Sequence, residues 1–316
     1  LRSSAIYGAN AAGKSNIILA MMDMEHFVRN SASTQEGDNI DIDPFLFDDE
    51  TSNQPSEFEI VFINEGVKYQ YGFATKKSHI VEEWLFAYPK GRPQRWFHRV
   101  YNDEKATSDY KFSESFTGKK STWQSMTRNN ALFLSTAIQL NSDQLKPVFN
   151  WFKFKLRPTR IDGFGTEYTA SICQNEDKKN RVLAFLHAAD FNIHDIKVKK
   201  EKLSLESLPS EMPSAVKESI LEDLKDRKFL DIKSVHKTNS GKTVELDFNE
   251  ESDGTQKFFS FAGPWINSLE EGYILVIDEL HNNLHPKMVK YLIELFHNSE
   301  TNPNNAQLIF TTHETS

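Results

Sequence analysis

The sequence predicts an α/β fold in which a parallel sheet is combined with an antiparallel β meander and a helical insertion. Three observations carry this prediction. A short apolar strand, a glycine-bounded turn and an amphipathic helix follow one another over residues 4–29. Aromatic and apolar residues alternate with period two over residues 58–100, which is typical of about four antiparallel strands. Helical and strand patterns then alternate over the last third of the chain, as in a parallel α/β sheet.

Composition sets limits on the class of protein. The 316 residues are 38% hydrophobic and include 24 Phe, so a sizeable packed core is expected. The formal charge of −8 keeps the chain soluble, and nucleic acid, a possible partner, would need a local basic patch. The single Cys173 excludes an internal disulfide and suits a reducing cytoplasm. No apolar run reaches the roughly 20 residues of a membrane span, so we expect no membrane association.

We expect three segments, at 1–112, 113–228 and 229–316. The first holds the opening strand and helix, a polar loop at 31–44 and the meander. The second is predicted to be mostly helical, with helices near 121–151, 176–189 and 212–227. The third begins with a hairpin at 229–238 and 244–248 and continues with helix 255–268, strand 273–277, helix 287–298 and strand 307–311. Because both ends are short strands that run into motifs, we expect the chain to be part of a longer protein.

A phosphate-binding loop follows the first strand. The pattern G-x-x-x-x-G-K-[ST] is matched at every fixed position, between an apolar strand and an amphipathic helix. Small residues let backbone N–H groups converge on phosphate oxygens, and the helix N-terminus adds its dipole. Lys14 is expected to reach the β- and γ-phosphates, and the Ser15 hydroxyl to bind Mg²⁺. The expected nucleotide-binding residues here are Gly8, Ala9, Asn10, Ala11, Ala12, Gly13, Lys14, Ser15 and Asn16.

Two adjacent acids follow the most apolar strand. The run at 273–277 is β-branched and fully apolar, so we expect a buried central strand with Asp278 and Glu279 at its carboxyl end. Ligands of α/β sheets bind at that edge. Asp278 is therefore expected to hold Mg²⁺, and Glu279 to orient and deprotonate the attacking water as a general base. The expected cofactors are ATP and Mg²⁺.

With these motifs on both ends, the chain resembles ATPases of the ATP-binding-cassette superclass. The branch is that of RecF, SMC and Rad50 heads, overcoming-lysogeny-defect proteins and RloA/AbiL-type AAA15 ATPases. Ser252-Asp253-Gly254-Thr255 resembles the signature motif, residues 282–286 the D-loop, and His313 the switch histidine that senses the γ-phosphate. The resemblance implies an ABC-ATPase head-like P-loop fold. Segments 1–112 and 229–316 would be its N- and C-terminal lobes, and 113–228 an insertion.

The resemblance also implies a two-subunit catalytic cycle. Lys14, Glu279 and His313 of one subunit would act on ATP, while Ser252 and Gly254 of another would cap the γ-phosphate. A homodimer or a higher even oligomer is therefore expected. The same family implies prokaryotic defence against phage together with a separate effector, such as a Toprim-type nuclease.

Two features depart from the family pattern or suggest another chemistry. No glutamine loop is identifiable, although Gln35 and Gln54 lie in the right region. His281 and His285 are spaced i, i+4, but Pro286 breaks a helix that would display both, and His-Glu-x-x-His is not satisfied. Zinc chemistry is therefore disfavoured.

One basic cluster in the sequence could contact phosphate. It consists of Lys197, Lys199, Lys200 and Lys202.

Other functions remain open. A Rad50- or SMC-like head should carry long heptad arms, and residues 17–251 contain none sustained over three heptads. A RecF-like DNA-repair ATPase without a coiled coil is compatible with this lack of heptads. So is a nucleotide-gated scaffold that binds ATP, barely hydrolyses it and holds a partner. A transporter ATPase subunit fits the meander and the insertion badly.

Overall fold

The computed structural model describes residues 1–45, 47–48, 51–160, 164–202, 213, 216, 228–282 and 284–313. The chain divides into two compact units. Unit 1 comprises residues 1–12 and 159–316, and unit 2 comprises residues 13–158. The expected α/β class is confirmed, because the chain combines a parallel sheet with two antiparallel sheets. The segment boundaries at 112 and 228 stay a prediction.

Apart from residues 156–158, the parallel sheet belongs to unit 1. Its order is β1-β12-β11-β7, with β1 and β11 each parallel to β12 between them. The predicted strands at both ends of the chain are thereby confirmed. The four strands are Ser3–Tyr7 (β1), Leu156–Arg160 (β7), Ile274–Asp278 (β11) and Gln307–Thr312 (β12). Leu275, Val276 and Ile277 of β11 are buried, as the apolar run predicts.

Four helices of unit 1 contribute to a core that is rich in aromatic side chains. They are Thr166–Ile172 (α5), Glu176–Ala188 (α6), Asp253–Glu271 (α7) and Pro286–His297 (α8). On α7, Phe258, Phe261 and Trp265 are fully buried, because their i, i+3, i+7 spacing places them on one face. Phe258 stacks on Phe185 of α6 with ring centroids 4.8 Å apart. Trp265 donates its indole N–H to the Leu292 carbonyl of α8 at 3.3 Å.

A three-stranded antiparallel sheet completes unit 1. Its order is β10-β9-β8, formed by Asp195–Lys202 (β8), Lys228–Lys237 (β9) and Thr243–Asp247 (β10). The predicted hairpin is confirmed, but β8 lies where the sequence predicts mostly helix. The basic cluster thus lies on a strand, where Lys197 forms an ion pair with Glu245. The predicted helix at 212–227 lies outside the described residues, apart from positions 213 and 216.

Unit 2 consists of a helix, a meander and short helices. Helix Lys14–Asn30 (α1) matches its prediction, and the meander has five strands rather than about four. They are Ser56–Asn64 (β2), Val67–Thr75 (β3), Ile80–Tyr88 (β4), Gln94–Asn102 (β5) and Thr107–Phe112 (β6). The helix expected at 121–151 is instead three short ones, Lys120–Met126 (α2), Phe133–Gln139 (α3) and Lys146–Asn150 (α4), followed by a π-helical turn at Trp151–Lys155.

A buried carboxylate joins the meander to α3. Glu83 of β4 is fully buried, and its Oε2 and Oε1 accept the backbone N–H groups of Phe133 and Leu134 at 2.6 and 3.0 Å. Tyr71 also donates its hydroxyl to Glu83, at 3.0 Å. Because the first N–H groups of a helix have no partner within it, Glu83 serves as the cap that α3 lacks locally.

A buried arginine forms the second half of this network. The Arg99 Nη1 lies 3.6 Å from the Glu83 Oε2, and both side chains are fully buried. Arg99 also donates to the carbonyls of Ala131 at 2.6 Å and Arg128 at 3.1 Å, and to the Ser108 hydroxyl at 3.0 Å. A buried ion pair is tolerated when such additional hydrogen bonds satisfy its remaining polar atoms.

Candidate functional site

The candidate site of unit 1 lies at the carboxyl edge of the parallel sheet. Tyr7 of β1 pairs with Thr312 of β12, and Ile277 of β11 pairs with Phe310. All three strands therefore end at one edge, where the chain continues into residues 8–12, 278–282 and 313. Because β12 lies between β1 and β11, these two strands are about 10 Å apart. Loops that follow such parallel strands are where α/β sheets bind ligands.

The phosphate loop leaves this edge from β1. The Ala12 N–H donates to the Ala9 carbonyl at 3.2 Å, closing a turn of exposed residues. Ala11 adopts φ +61°, in the left-handed region that usually favours glycine. Gly13 has φ +83°, and no described atom lies within 4 Å of the position where a Cβ would stand. A residue with a side chain would be strained there, which explains why the motif requires glycine.

Helix α1 starts directly after the loop, within unit 2. Gly13 stands at its N-cap position and, among the described residues, no side chain caps that end. Lys14 is buried, while Ser15 and Asn16 are exposed. A helix N-terminus with uncapped N–H groups and a small-residue turn before it fits an anionic phosphate group.

The two acids at the end of β11 are held by Thr311 of β12. The fully buried Thr311 donates its hydroxyl to the Asp278 Oδ1 at 2.6 Å and accepts the Glu279 N–H at 2.7 Å. The Leu280 N–H donates to the Thr311 carbonyl at 3.3 Å. One threonine therefore fixes the positions of both acids. Sequence reasoning did not identify it, since Thr311 and Asp278 are 33 residues apart.

Glu279 has an unusual backbone. Its φ is +53°, in the left-handed region, which costs a residue with a Cβ roughly 1–2 kcal/mol. The hydrogen bond from its N–H to Thr311 helps to hold this conformation. The chain turns sharply here, so Glu279 does not continue the alternation of β11. Such strained residues often occur at functional sites.

We predict that Thr311→Val lowers ATP turnover more than ATP binding. Valine keeps the shape but removes both hydroxyl hydrogen bonds, so Asp278 and Glu279 lose their common anchor. We expect kcat to fall roughly 10- to 100-fold, as for other residues that orient metal ligands. Thr311→Ser, which keeps the hydroxyl, should retain most activity. Steady-state kinetics measure kcat and ATP titration measures the Kd for ATP in the same preparations. An equal fall of kcat in Thr311→Val and Thr311→Ser would contradict the prediction.

The two histidines considered for zinc have different roles. His285 is the N-cap of α8, and its Nδ1 accepts the Lys287 N–H at 3.2 Å. His281 is buried beside Thr312 and His313. Within the part of the chain that the structure describes, no group of three or more His, Cys, Asp or Glu side chains is arranged to hold a metal ion.

The signature-like residues open helix α7. Ser252 is its exposed N-cap, and the Ser252 Oγ accepts the Thr255 N–H at 3.2 Å. Gly254 is half-buried, and of the described atoms only the Ser252 Oγ, at 3.9 Å, would lie within 4 Å of an added Cβ. The preceding Glu251 accepts hydrogen bonds from Ser234 and His236 of β9. Hydrogen bonds from β9 to Glu251 therefore hold the start of α7, while Ser252 is exposed to solvent.

The glutamines considered for a glutamine loop both lie in unit 2. The Gln35 carbonyl accepts a hydrogen bond from the Asn130 amide at 2.7 Å, and the Gln54 N–H donates to the Thr51 carbonyl at 3.1 Å. Both hydrogen bonds involve only backbone groups of the glutamines, and no glutamine receives a role. Among the described residues, every helix is too short or too polar to cross a bilayer.

Comparison with known proteins gives a family. Two solved structures with 13% identity cover 99% of this chain, with TM-scores of 0.39 and 0.42. One is an SMC head bound to the C-winged helix domain of ScpA, and 82% of that matched chain is covered. The other is an SMC head domain from Thermotoga maritima, of which 81% is covered. No curated protein matches. The family model described as "AAA domain, putative AbiEii toxin, Type IV TA system" matches residues 3–316, and the chain therefore belongs to this family of AAA-type ATPase domains.

Proposed function

We propose that the protein binds and hydrolyses ATP in a site completed by a second copy of the chain. The observation that carries this proposal is the shared carboxyl edge of β1, β11 and β12, where the phosphate loop begins and where Asp278, Glu279 and His313 lie. Membership of an AAA-domain family supports nucleotide binding. Membership of the AAA15 subgroup and a defence role are also part of the proposal.

The chain's own residues divide the chemistry between them. Backbone N–H groups of the loop and the α1 N-terminus bind phosphate oxygens, and Lys14 neutralises the β- and γ-phosphates. Glu279 orients the attacking water and accepts its proton, so that the oxygen can bond to the γ-phosphorus while the bond to the leaving oxygen of ADP breaks. His313 donates a hydrogen bond to the γ-phosphate, sensing its presence.

We propose Ser15 and Asp278 as the side chains that would supply oxygen ligands to Mg²⁺. A hydroxyl and a carboxylate are hard oxygen ligands of the kind that Mg²⁺ takes alongside phosphate oxygens and water. The Asp278 Oδ1 is already fixed by Thr311 at 2.6 Å, as outer partners commonly fix metal ligands. When bound, the ion neutralises charge on the phosphates.

The second copy would contribute Ser252 and Gly254. Ser252 is exposed at the N-terminus of a 19-residue helix, which suits it to bind an anion held by another subunit. Binding of ATP would then favour the closed dimer, and hydrolysis would release it, because the nucleotide contacts both copies only in that state. An even number of subunits follows.

Mixing two inactive variants tests the shared site. Lys14→Ala removes the phosphate lysine, and Gly254→Asp places a negative charge at the capping position, where a Cβ meets no steric obstacle among the described atoms. Each variant alone should be inactive. In a random mixture about half of the dimers are mixed, and one of their two sites is intact, so about a quarter of wild-type turnover should return.

A mixture that stays inactive would contradict the shared site. If Lys14 and Gly254 served the same subunit's site, every site in the mixture would carry one substitution and no turnover would return. Wild type mixed with itself at the same total concentration is the control. A wild type without turnover would favour the nucleotide-gated scaffold.

The biological role we propose is phage defence with a separate effector. The support is the family description, which names a putative toxin of a type IV toxin–antitoxin system, together with the resemblance of residues 252–255 to the signature motif. A Toprim-type nuclease is the effector class that this likeness suggests. Phage challenge of cells that carry the gene with and without its genomic neighbours tests this, and protection by the isolated gene would contradict a separate effector.

A further inference from the structure

A second histidine packs directly against His313. His281 is only 7% exposed and lies in the turn after β11, whereas His313 is exposed just beyond β12. Their ring centroids are 4.1 Å apart with an interplanar angle of 83°, an edge-to-face contact. Edge-to-face rings attract each other because the positive edge of one meets the negative face of the other.

His281 is itself fixed by the strand that carries His313. Its Nδ1 is hydrogen-bonded to the hydroxyl of Thr312, the last residue of β12, at 3.0 Å. Both partners are buried, and buried polar groups that are paired in this way have little freedom to reorient. The ring against which His313 packs is therefore held in place by the neighbour of His313.

The same turn carries the acid that we propose as the general base. Glu279 and Leu280 are hydrogen-bonded to Thr311, and His281 to Thr312, so consecutive residues of one turn are tied to consecutive residues of one strand. The position of the general base and the orientation of His313 are thereby linked through short contacts inside unit 1.

We propose that His281 is a positioning residue, which holds the His313 ring in the orientation needed to contact the γ-phosphate. This inference rests on the proposed function, since it concerns how His313 performs its role there. An exposed histidine would otherwise sample several rotamers, and selecting one of them has an entropic cost. Because His313 packs against a buried, hydrogen-bonded ring, its rotamer is already restricted before nucleotide binds.

Three substitutions at position 281 separate the ring from the hydrogen bond. His281→Ala removes both, and we expect kcat to fall about tenfold while the Kd for ATP changes less than about threefold, because positioning affects the reacting geometry. His281→Phe keeps a ring and should recover most of kcat. His281→Asn keeps a polar group near Thr312 without a ring and should resemble alanine.

NMR of the His313 ring provides a readout that does not depend on turnover. In histidine-labelled protein, His281→Ala should move the His313 ring resonances toward the positions of a free, exposed histidine, because the neighbouring ring current is lost. His194→Ala, which removes an exposed histidine just before β8, is the matched control and should leave them unchanged. If position 281 tolerates no change, Thr312→Val removes the anchoring hydroxyl and should shift the same resonances.

The possible outcomes separate this inference from the proposed function. Loss of turnover in Glu279→Gln but wild-type kcat in His281→Ala would overturn the positioning role and leave the ATPase standing. Unchanged His313 resonances in both His281→Ala and Thr312→Val would overturn it as well. If His281→Ala lowered stability, ATP affinity and kcat together, and His281→Phe did not restore kcat, His281 would have only a structural role in the core. A wild type without turnover would refute the proposed function, while the NMR result would still report whether His281 orients His313.

Discussion

Glu279→Gln is expected to abolish ATP turnover while ATP remains bound. Glutamine has nearly the same shape and leaves the hydrogen bond from the residue 279 N–H to Thr311 in place, but it cannot accept the proton of the attacking water. Loss of a general base typically lowers the rate by 10²–10⁴-fold. Because hydrolysis is what releases the two copies, the variant should accumulate as an ATP-bound dimer.

Light scattering and steady-state hydrolysis on the same samples measure both effects. The wild type should shift only transiently toward the dimer in Mg-ATP, whereas Glu279→Gln should stay dimeric until nucleotide is removed. Glu300→Gln removes an exposed carboxylate of the same unit and is the matched control. A constitutive oligomer with no turnover and no response to the substitution would show that Glu279 is not the base and would favour the scaffold.

Arg99→Met should cause the largest loss of stability, about 3–5 kcal/mol in the free energy of unfolding. Methionine fills much of the volume, but it leaves the fully buried Glu83 carboxylate without its cation and several backbone carbonyls of residues 128–131 without their donor. Removing one partner of a buried pair costs more than removing both, because an uncompensated charge remains. Denaturant unfolding of the full chain measures the change.

The loss should depend on pH with a definite sign. Burial raises the pKa of Glu83 in the folded protein, and Arg99 opposes that rise, so Arg99→Met raises the pKa of Glu83 further. When the pKa of Glu83 is higher in the folded than in the unfolded state, the folded state binds the proton more tightly. The protonated Glu83 then makes its full contribution to the free energy of unfolding at pH values below the unfolded pKa. This contribution is lost as the pH rises through the folded pKa. Arg99→Met should therefore be less destabilising at pH 5 than at pH 8.

A double variant provides the control for this argument. Glu83→Gln combined with Arg99→Met removes both charges of this buried pair, so the double variant should be more stable at pH 8 than Arg99→Met alone and should lack the added pH dependence. If the double variant were destabilised relative to the wild type by the full sum of the two single substitutions, the unpaired charge would not be the cause of the loss.

The candidate site could be predicted from sequence where its signal is local. The phosphate loop is contiguous, and its glycine has the positive φ that the motif requires. The acid pair follows an apolar run that is a buried strand. Whether these residues act on ATP stays a prediction. Thr311 could have been noticed only as a polar residue in an otherwise apolar strand pattern, a signal too common to select it.

Other expectations failed where local patterns compete with packing. The helix expected at 121–151 is divided into short helices. The buried Trp123 packs on Phe116, which follows the meander, and the buried Phe133 packs on Phe97 of β5, rather than both lying along one continuous helix face. The basic run at 195–202 was expected within a mostly helical segment, and it is a strand because it pairs with β9 along its whole length. Pairing with a distant strand leaves no mark in the local composition.

The sequence by itself determined the motifs, the buried strands and the class of fold, because hydrophobic periodicity and glycine placement act over a few residues. Only the tertiary structure decided which side chains meet across long separations. Thr311 holds Asp278, Thr312 holds His281, and Arg99 meets Glu83. These contacts depend on strand order and register, which bring residues 16 to 33 positions apart within hydrogen-bonding or ion-pairing distance.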